Sequence, residues 1–590
     1  MALQTTGESA YSVWLSARLR QARQRLRRSN RAELPWTLRK GLLVGRSRSR
    51  RIGRGVFCIG RGNHAPTLSH PPLGREPNQN SKFKACPRVR KAAPQEQGGD
   101  SKLKTHHCPP PSPSPLSPPG RLRLHPITPP LPHSPLRLPQ MSSPPASTDA
   151  PRLQAIRGAF LDFIEDPFYA PEAESVRYVP DGLLVIESGI IKAFGPYNDL
   201  ESTYGHIPVT AYLGRLITPG FIDTHIHYPQ TGMMAAYGEQ LLQWLSQYTF
   251  PTEKRFQDKA YAKEVAEFFL DQLLSHGTTT ALVFATVFPQ SVEAFFEAAE
   301  ARHLCMIAGK VMMDRHAPNL SSAIRPRPSY TDTKALIQTW HKRGRLRYAV
   351  TPRFAATSSE AQLQRARQLL QEFPDVYLHT HLSENQEEVA WIAELFPQSK
   401  GYLDVYDQAG LVTDRFCLSH GVQLSEAEFQ RLSQAQSAIA FCPTSNLFLG
   451  SGLFKLEQAK SPSHPVKLGL GTDVGAGTSF SMLQTTNEAY KVAQLRRQSL
   501  SPFQALFLAT LGGARALSLD GHLGSFDQGK DADFIVLDPQ ATPLLAFRNT
   551  AAVPRSLEAL ADQVFSLVIL GDDRAVQATY VLGQLVHERY

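Results

Sequence analysis

Residues 217–227 read ITPGFIDTHIH, and they contain the most informative strand pattern in the chain. An apolar run, Phe221–His227, follows a Pro-Gly turn and ends in two histidines that are separated by one residue. Side chains at positions i and i+2 of a strand lie on the same face, so both imidazoles project to one side. The stretch therefore predicts a buried strand whose carboxyl end carries a pair of nitrogen donors.

From this strand to residue 520, short apolar segments alternate with longer amphipathic ones. Helical spacing is clearest in residues 260–275, which precede Gly277, and in residues 361–373, which precede Pro374. Eight strands that are each followed by a helix indicate an α/β protein with a (β/α)8 TIM barrel, here residues 216–520. The candidate strands are Phe221–His227, Thr278–Ala285, Cys305–Asp314, Tyr348–Phe354, Val376–Ser383, Phe416–His420, Ser437–Pro443 and Lys467–Asp473.

The segments that flank the barrel read as short strands. Residues 151–215 contain the alternating stretches Gly182–Ser188 and Gly189–Phe194. Residues 521–590 contain DADFIVLD (531–538) and VQATYVLGQLV (576–586). We expect the two flanks to form one small β-sandwich beside the barrel.

The first 140 of the 590 residues differ from the rest in charge and in proline content. They hold 26 Lys/Arg and 5 Asp/Glu, a formal charge of +21, and 20 of the 45 prolines. The whole chain carries +11, so the remainder carries −10. We expect residues 1–140 to be a disordered extension outside the mature fold. Three interpretations stay open: a transit peptide, a basic arm that contacts RNA or a membrane, or translated upstream sequence before Met141; we favour the last.

Composition excludes several protein classes. No run of about 18 apolar residues occurs, so no membrane-spanning helix is expected. The six cysteines are sparse and form no C-x-x-C pair, which indicates a reducing, cytoplasmic location. The acidic balance after residue 140 argues against nucleic-acid binding by the catalytic domain.

Ionisable residues recur where the predicted barrel strands end. His379 and His381 end the fifth strand and are followed by Glu384; His420 ends the sixth, and Asp473 ends the eighth. Barrel active sites lie at these carboxyl ends of the strands. Imidazole and carboxylate ligands suit zinc or iron(II). Together with the His-x-His pair of the first strand, the set predicts a metal site.

This order of ligands resembles the metal-dependent amidohydrolase superfamily over residues 155–590. Several narrower motifs are similar to the guanine-deaminating members of that superfamily. They are THIHYPQ (224–230), WLSQYTFPTEKRF (244–256), VTPRF (350–354), THLSEN (380–385), SHG (419–421), CPTSNLFLGSG (442–452), LGLGTDVGAG (468–477) and LATLGGARAL (508–517). No family pattern covers residues 1–140.

The resemblance implies hydrolysis of guanine by water to xanthine and ammonia, as a step of purine catabolism. It implies one zinc ion per subunit, with iron possible, and a homodimer. Lys310 is not expected to bridge a second metal ion. The implied residues are metal ligands His225, His227, His381 and Asp473; catalytic groups Glu384, Asp473 and His420; and substrate contacts His227, Gln230, Arg353, Phe354, His381, Glu384 and Asp473.

The chemistry of these residue types agrees with such roles. Asp473 can take a proton from water while His420 holds the water in line, and Glu384 can hand a proton to a ring nitrogen. Gln230 offers a donor and acceptors, and the Arg353 fork suits a carbonyl-bearing ring on which Phe354 can stack. The residues alone leave other roles open: Arg353 as a structural ion-pair partner, Phe354 as core, and Gln230 as the cap of a turn.

Two rival functions keep the same fold. The first is deamination of another purine, a pterin, a triazine or cytosine, and the trio Gln230, Arg353 and Phe354 argues for guanine. A ring without guanine's carbonyl would leave Arg353 unpaired, at a cost of about 1–3 kcal/mol. The second is a non-catalytic scaffold, which the complete set of ligands argues against.

Overall fold

The computed structural model describes residues 153–238, 240–316 and 329–589. The predicted disordered extension, residues 1–140, lies outside the described residues. The three interpretations of it therefore stay predictions. Among the described helices, none combines the length and the hydropathy that a membrane crossing requires.

The strands of the described residues form two sheets. In chain order they are β1 Leu153–Phe163, β2 Val176–Glu187, β3 Ile190–Pro196, β4 Val209–Pro219, β5 Phe221–His227, β6 Thr278–Phe284, β7 Cys305–Gly309, β8 Val311–Met312, β9 Arg347–Pro352, β10 Tyr377–Leu382, β11 Phe416–His420, β12 Ala438–Phe441, β13 Lys467–Leu470, β14 Phe534–Leu537, β15 Val576–Val581 and β16 Gln584–Glu588.

Helices separate the strands of the second sheet, which is built from β5 to β13, and cover it. The α-helices of the described residues are Glu172–Ser175, Tyr197–Tyr204, Leu241–Trp244, Phe250–Glu253, Lys259–Ser275, Pro289–Glu300, Ser329–Trp340, Glu360–Glu372, Gln386–Leu395, Tyr402–Gln408, Glu426–Gln434, Pro443–Phe448, Leu456–Ala459, Met482–Leu495, Pro502–Leu508, Leu511–Ala516, Pro543–Arg548 and Leu557–Leu570. Short 3₁₀ helices lie at Tyr228–Met233, Lys254–Gln257, Ala355–Thr357 and Asp573–Ala575, and a π-helical turn lies at Leu245–Thr249.

Eight parallel strands build the barrel in the order β5, β6, β7, β9, β10, β11, β12, β13, and β8 extends β7 along β9. Each predicted strand overlaps one of them. The predicted (β/α)8 barrel is therefore confirmed. Every residue of β5, β6 and β11 is buried, as parallel strands covered by helices require.

The barrel closes between its last and first strands through single hydrogen bonds. The backbone N–H of Asp473 donates to His225 O at 2.9 Å, and that of His227 donates to Val474 O at 3.0 Å. The Thr224 hydroxyl donates to Leu470 O at 2.9 Å. These three contacts, which we call the seam, bring the ends of β13 and β5 together.

The flanking strands of both termini lie in one mixed sheet with the order β16, β15, β14, β4, β1, β2, β3. Residues from the two ends of the chain meet where β14 pairs antiparallel with β4. The sequence predicted a small β-sandwich formed from both flanks. The two flanks do combine, and their strands are hydrogen-bonded neighbours in a single mixed sheet. Because β4 is followed by Gly220 and then β5, this sheet leads directly into the strand with the histidine pair.

The two best-patterned helices begin at capping side chains. Asp258 accepts from the backbone N–H of Ala260 at 2.9 Å and begins helix Lys259–Ser275, which ends before Gly277 at φ +82°. Ser359 accepts from Gln362 N and begins helix Glu360–Glu372. Each side chain satisfies a backbone donor that the first turn leaves free. Both helices lie within one residue of the predicted ranges.

Candidate active site

The histidine pair of β5 and that of β10 meet inside the carboxyl end of the barrel. His227 Nε2 lies 3.2 Å from His381 Nε2, and the rings stack with their centroids 5.2 Å apart. His225, one pleat deeper, lies perpendicular to both rings. Alternation along the strands places these imidazoles on the barrel interior, as the sequence predicts.

Asp473 completes this cluster from beyond β13. Its Oδ1 lies 3.1 Å from His225 Nε2 and 3.4 Å from His227 Nε2. The chain turns sharply here, because Asp473 has φ +51°. Two residues earlier, a Cβ on Gly471 would lie 2.9 Å from His225 Cβ, so only glycine lets this segment pass so close to β5.

The cluster has the chemistry of a metal site. Ligand atoms of His225, His227 and His381 lie within 4.8 Å of one another, and so do those of His225, His420 and Asp473. Nε2 of His225 makes no hydrogen bond to any described residue, although it is fully buried. Burial lowers the pKa of His225 to about 3 and the pKa values of His227 and His381 well below the usual range. These imidazoles are therefore neutral and hold free lone pairs, the form that a metal ion binds.

Outer contacts fix the orientation of the imidazoles. His225 Nδ1 lies 2.7 Å from Ser419 Oγ and 2.9 Å from His379 Nε2, and His381 Nδ1 donates to Arg353 O at 2.7 Å. With Nδ1 engaged in this way, Nε2 of each ring faces the cluster. His379 thus contacts a predicted ligand and does not belong to the cluster itself.

Glu384 and His420 face each other beside the cluster. Glu384 Oε2 lies 3.5 Å from His420 Nε2, and Ser451 donates to Glu384 Oε1 at 3.1 Å. Burial first, and the nearby Asp473 next, raise the pKa of Glu384 well above its usual value. This shift favours the protonated form of the carboxyl group, which is the form that can donate a proton. His420 Nδ1 lies 3.0 Å from Asn446 Nδ2, which leaves Nε2 facing Glu384 and, at 3.9 Å, Asp473 Oδ2.

A cavity opens directly over these groups. Gln230, Arg353 and Phe354 line one side of it, and all three side chains are buried. Leu241, Trp244 and Leu245 line it from a segment that we call the wall, residues 241–257. The lining combines apolar side chains with a few polar groups, as the lining of a small-molecule site does.

The comparisons with known proteins agree with this geometry. The sequence profile of the Amidohydrolase family matches residues 216–586, which include the whole barrel. The chain belongs to the amidohydrolase family.

Within that family its close relatives are guanine deaminases. The guanine deaminase of Escherichia coli strain K12 is 53% identical over 442 residues, which cover 74% of this chain and 98% of that protein. A solved structure of E. coli guanine deaminase superposes with a TM-score of 0.71 at 52% identity, covering 74% of this chain and all of that one. A Clostridium acetobutylicum guanine deaminase solved with guanine in its active site gives a TM-score of 0.65 at 26% identity, with coverage of 74% and 100%.

All predicted site residues of this amidohydrolase converge at the cavity or directly beneath it. His227, His381, Asp473, Gln230, Arg353, Phe354, Glu384 and His420 line it, and His225 lies below His227 in the same cluster. Amidohydrolases are generally metal-dependent, which agrees with the cluster. Arg353 forms an ion pair with Glu253 and also lines the cavity, so its position agrees with both of the roles left open for it.

Sequence reasoning missed three residues that support the site of this amidohydrolase. Glu253 accepts hydrogen bonds from Arg353 and Gln230, Asp223 accepts from Thr472, and Asn446 contacts His420. Glu253 and Asn446 lie inside stretches that carry the resemblance, and Asp223 lies in the strand that ends in the histidine pair; these positions were the only signal. The sequence spacing of these three residues does not indicate which side chains they contact.

Proposed function

We propose that this chain is a guanine deaminase that hydrolyses guanine with water to xanthine and ammonia. One observation carries the proposal: a single cavity joins a cluster of metal-ligating atoms, a buried carboxyl group and an arginine fork. The relationship to guanine deaminases over nearly their whole length supports the same conclusion.

We propose that His225, His227, His381 and Asp473 hold one metal ion per subunit, and that this ion is zinc. Three neutral imidazole nitrogens and one carboxylate are a donor set typical of catalytic zinc, although iron(II) shares the preference. When bound, the ion supplies the Lewis acidity that lowers the pKa of a water molecule towards neutrality.

The proton transfers follow from the positions of three side chains. Asp473 accepts a proton from the attacking water, while His420 holds that water in line between Asp473 and Glu384. Glu384 delivers a proton to the ring nitrogen beside the attacked carbon, since burial keeps its carboxyl group protonated. Glu384, now a carboxylate, takes the proton of the hydroxyl group that the water has added and passes it to the amine, so that the C–N bond breaks, ammonia leaves and the 2-oxo group of xanthine forms. The proton that Asp473 accepted then restores the carboxyl group of Glu384.

Recognition of the base follows from the lining of the cavity. Arg353 and Gln230 offer donors to the carbonyl edge of the purine, and Phe354 packs against the ring. His227 and His381 form the floor beside the reacting carbon. The apolar wall residues Leu241, Trp244 and Leu245 cover the opposite side and exclude water.

The resemblance to guanine deaminases also supports a homodimer that works in the cytoplasm. Sedimentation of the purified full-length chain tests the first point, and a sedimenting mass of one chain would contradict it. Microscopy of the tagged chain tests the second.

The deciding experiment measures ammonia release by the metal-loaded full-length chain on guanine, adenine, cytosine and a pterin. We expect release from guanine alone. Release from another base instead would overturn the assignment of Gln230, Arg353 and Phe354. A folded, metal-loaded protein that releases ammonia from none of them would overturn the enzymatic function and favour a scaffold.

A further inference from the structure

Glu253 ends helix Phe250–Glu253 of the wall and contacts two of the proposed substrate-binding residues at once. Its Oε1 and Oε2 lie 2.9 and 3.0 Å from Arg353 Nη1, and Oε1 also accepts from Gln230 Nε2 at 3.2 Å. All three side chains are buried, with 2% exposure each. A charge pair in such a place needs a reason beyond stability, because burying it gains little over apolar packing.

The contacts with Glu253 leave a defined part of the arginine unused. All hydrogen bonds of this guanidinium to described side chains leave from Nη1. Nε and Nη2 therefore keep their donors for a molecule in the cavity, and the carboxylate holds the planar fork at one angle.

The same carboxylate fixes the amide of Gln230. The Gln230 carbonyl Oε1 accepts from the backbone N–H of Gly475 at 3.3 Å, while Nε2 faces Glu253. The reverse orientation would bring a carbonyl oxygen against a carboxylate and an NH₂ group against an N–H. Gln230 therefore presents its remaining N–H, and not its oxygen, to the cavity.

We propose that Glu253 is a positioning residue that turns Arg353 and Gln230 into paired donors for a single acceptor, the 6-oxo oxygen of the purine. It thereby determines the preference for an oxo-purine over a 2-amino-purine that lacks this oxygen. This inference rests on the proposed function and adds the residue that sets its specificity.

The test compares kcat and KM of full-length variants on guanine and on 2-aminopurine, which carries the same amine but no 6-oxo group. The variant Glu253→Gln removes the negative charge of the side chain and keeps its size and shape. We expect KM for guanine to rise roughly tenfold, the size of one charged hydrogen bond, with little change for 2-aminopurine. The kcat/KM for guanine, divided by the kcat/KM for 2-aminopurine, should then fall by the same factor.

Two further variants make the comparison specific. Glu253→Asp keeps the charge on a shorter side chain and should recover part of the ratio. Glu267→Gln removes an exposed glutamate from helix Lys259–Ser275 and should leave both substrates unchanged.

The outcomes separate the alternatives. Equal losses on both substrates, or no loss on either, would show that Glu253 only supports the wall and would overturn the proposal. Failure of both Glu253 variants to fold would do the same, in favour of a structural role. A wild-type chain without activity on guanine would overturn the proposed function itself, and this assignment with it.

Discussion

The carboxylate of Asp223 on β5 accepts hydrogen bonds from both the backbone N–H and the hydroxyl of Thr472, the residue before Asp473. It also accepts from the backbone N–H of His225 at 3.1 Å. One buried side chain thus holds the backbone of the proposed ligand His225 and that of Thr472, the neighbour of the proposed ligand Asp473. Burial raises the pKa of Asp223 to about 7.

Removing this carboxylate should loosen the metal site. Asp223→Ala leaves the buried N–H groups of His225 and Thr472 without an acceptor, at about 1–3 kcal/mol each. We expect a melting temperature several degrees lower and a smaller metal content per chain. Asp223→Asn, which retains one acceptor oxygen, should be milder. Unchanged melting and metal content in Asp223→Ala would refute this role.

Replacement of the proposed proton donor should abolish turnover without loss of metal. Glu384→Gln keeps the shape of the side chain but cannot deliver a proton, so kcat should fall by roughly 10²–10⁴-fold. The measurement is ammonia release at saturating guanine, with metal analysis of the same sample. Ser451→Ala, which removes only a hydrogen bond to Glu384 Oε1, is the matched control and should stay active. An active Glu384→Gln enzyme would exclude this residue as the proton shuttle.

Loss of a ligand should be visible in the metal content alone. His225→Ala removes one of the three imidazoles that converge in the cluster, and we expect the purified chain to hold far less than one metal ion. His303→Ala on the surface should hold as much as the wild type. Full metal occupancy in His225→Ala would remove this residue from the ligand set.

Arg353 should act chiefly on the affinity for guanine. Arg353→Ala should raise KM with a smaller effect on kcat, because its donors lie away from the attacked carbon. The same change leaves the buried carboxylate of Glu253 without its cationic partner, which lowers the stability of the folded chain. Arg353→Lys keeps a cation near Glu253 without the planar fork, so it should fold better and still show a raised KM. Guanine kinetics unchanged in both variants would show the pocket assignment to be wrong.

The pH dependence of stability should reveal the buried Glu388. It accepts from the backbone N–H groups of Glu384 and Asn385 and from the Tyr402 hydroxyl, and burial raises its pKa from 4.5 to about 7. The folded state therefore binds this proton more tightly than the unfolded state does. Its stabilising effect is complete below pH 4.5 and is lost as the pH rises through 7, by roughly 3 kcal/mol in all.

Glu388→Gln should lack this dependence. The melting temperature of the wild type, relative to the variant, should fall between pH 5 and pH 8. A constant difference across that range would mean that Glu388 is ionised in the folded state throughout.

The sequence predicted the barrel well because its strands are short, largely apolar runs, some of which end in polar residues. The bounds of Phe221–His227 and Phe416–His420 agree with the structure at both ends. The eighth strand was predicted to reach Asp473 but ends at Leu470. The reason is local, since Gly471 and the positive φ of Asp473 turn the chain out of the strand direction.

The contacts that organise the site were not predictable in the same way. Glu253 lies 100 residues from Arg353, and Asp223 lies 249 residues from Thr472. Such pairs depend on how the wall folds over the barrel mouth and on where the barrel closes. Neither hydrophobic periodicity nor ligand spacing carries that information, so these charged residues read as ordinary polar positions.

The seam has a consequence for how the protein loses activity. Among the described strands no ladder joins β13 to β5. The ring is held there by the hydrogen bonds from Thr472 to Asp223 and by the three seam hydrogen bonds, which come from Thr224, His227 and Asp473. We therefore expect the barrel to open locally at the seam before it opens elsewhere. Two of the three residues in it belong to the proposed metal cluster, so each brief opening would also disassemble the reaction centre. The rate of amide hydrogen exchange at Asp473 and His227 should then match the rate of heat inactivation. Exchange at the barrel strands opposite the seam should be much slower.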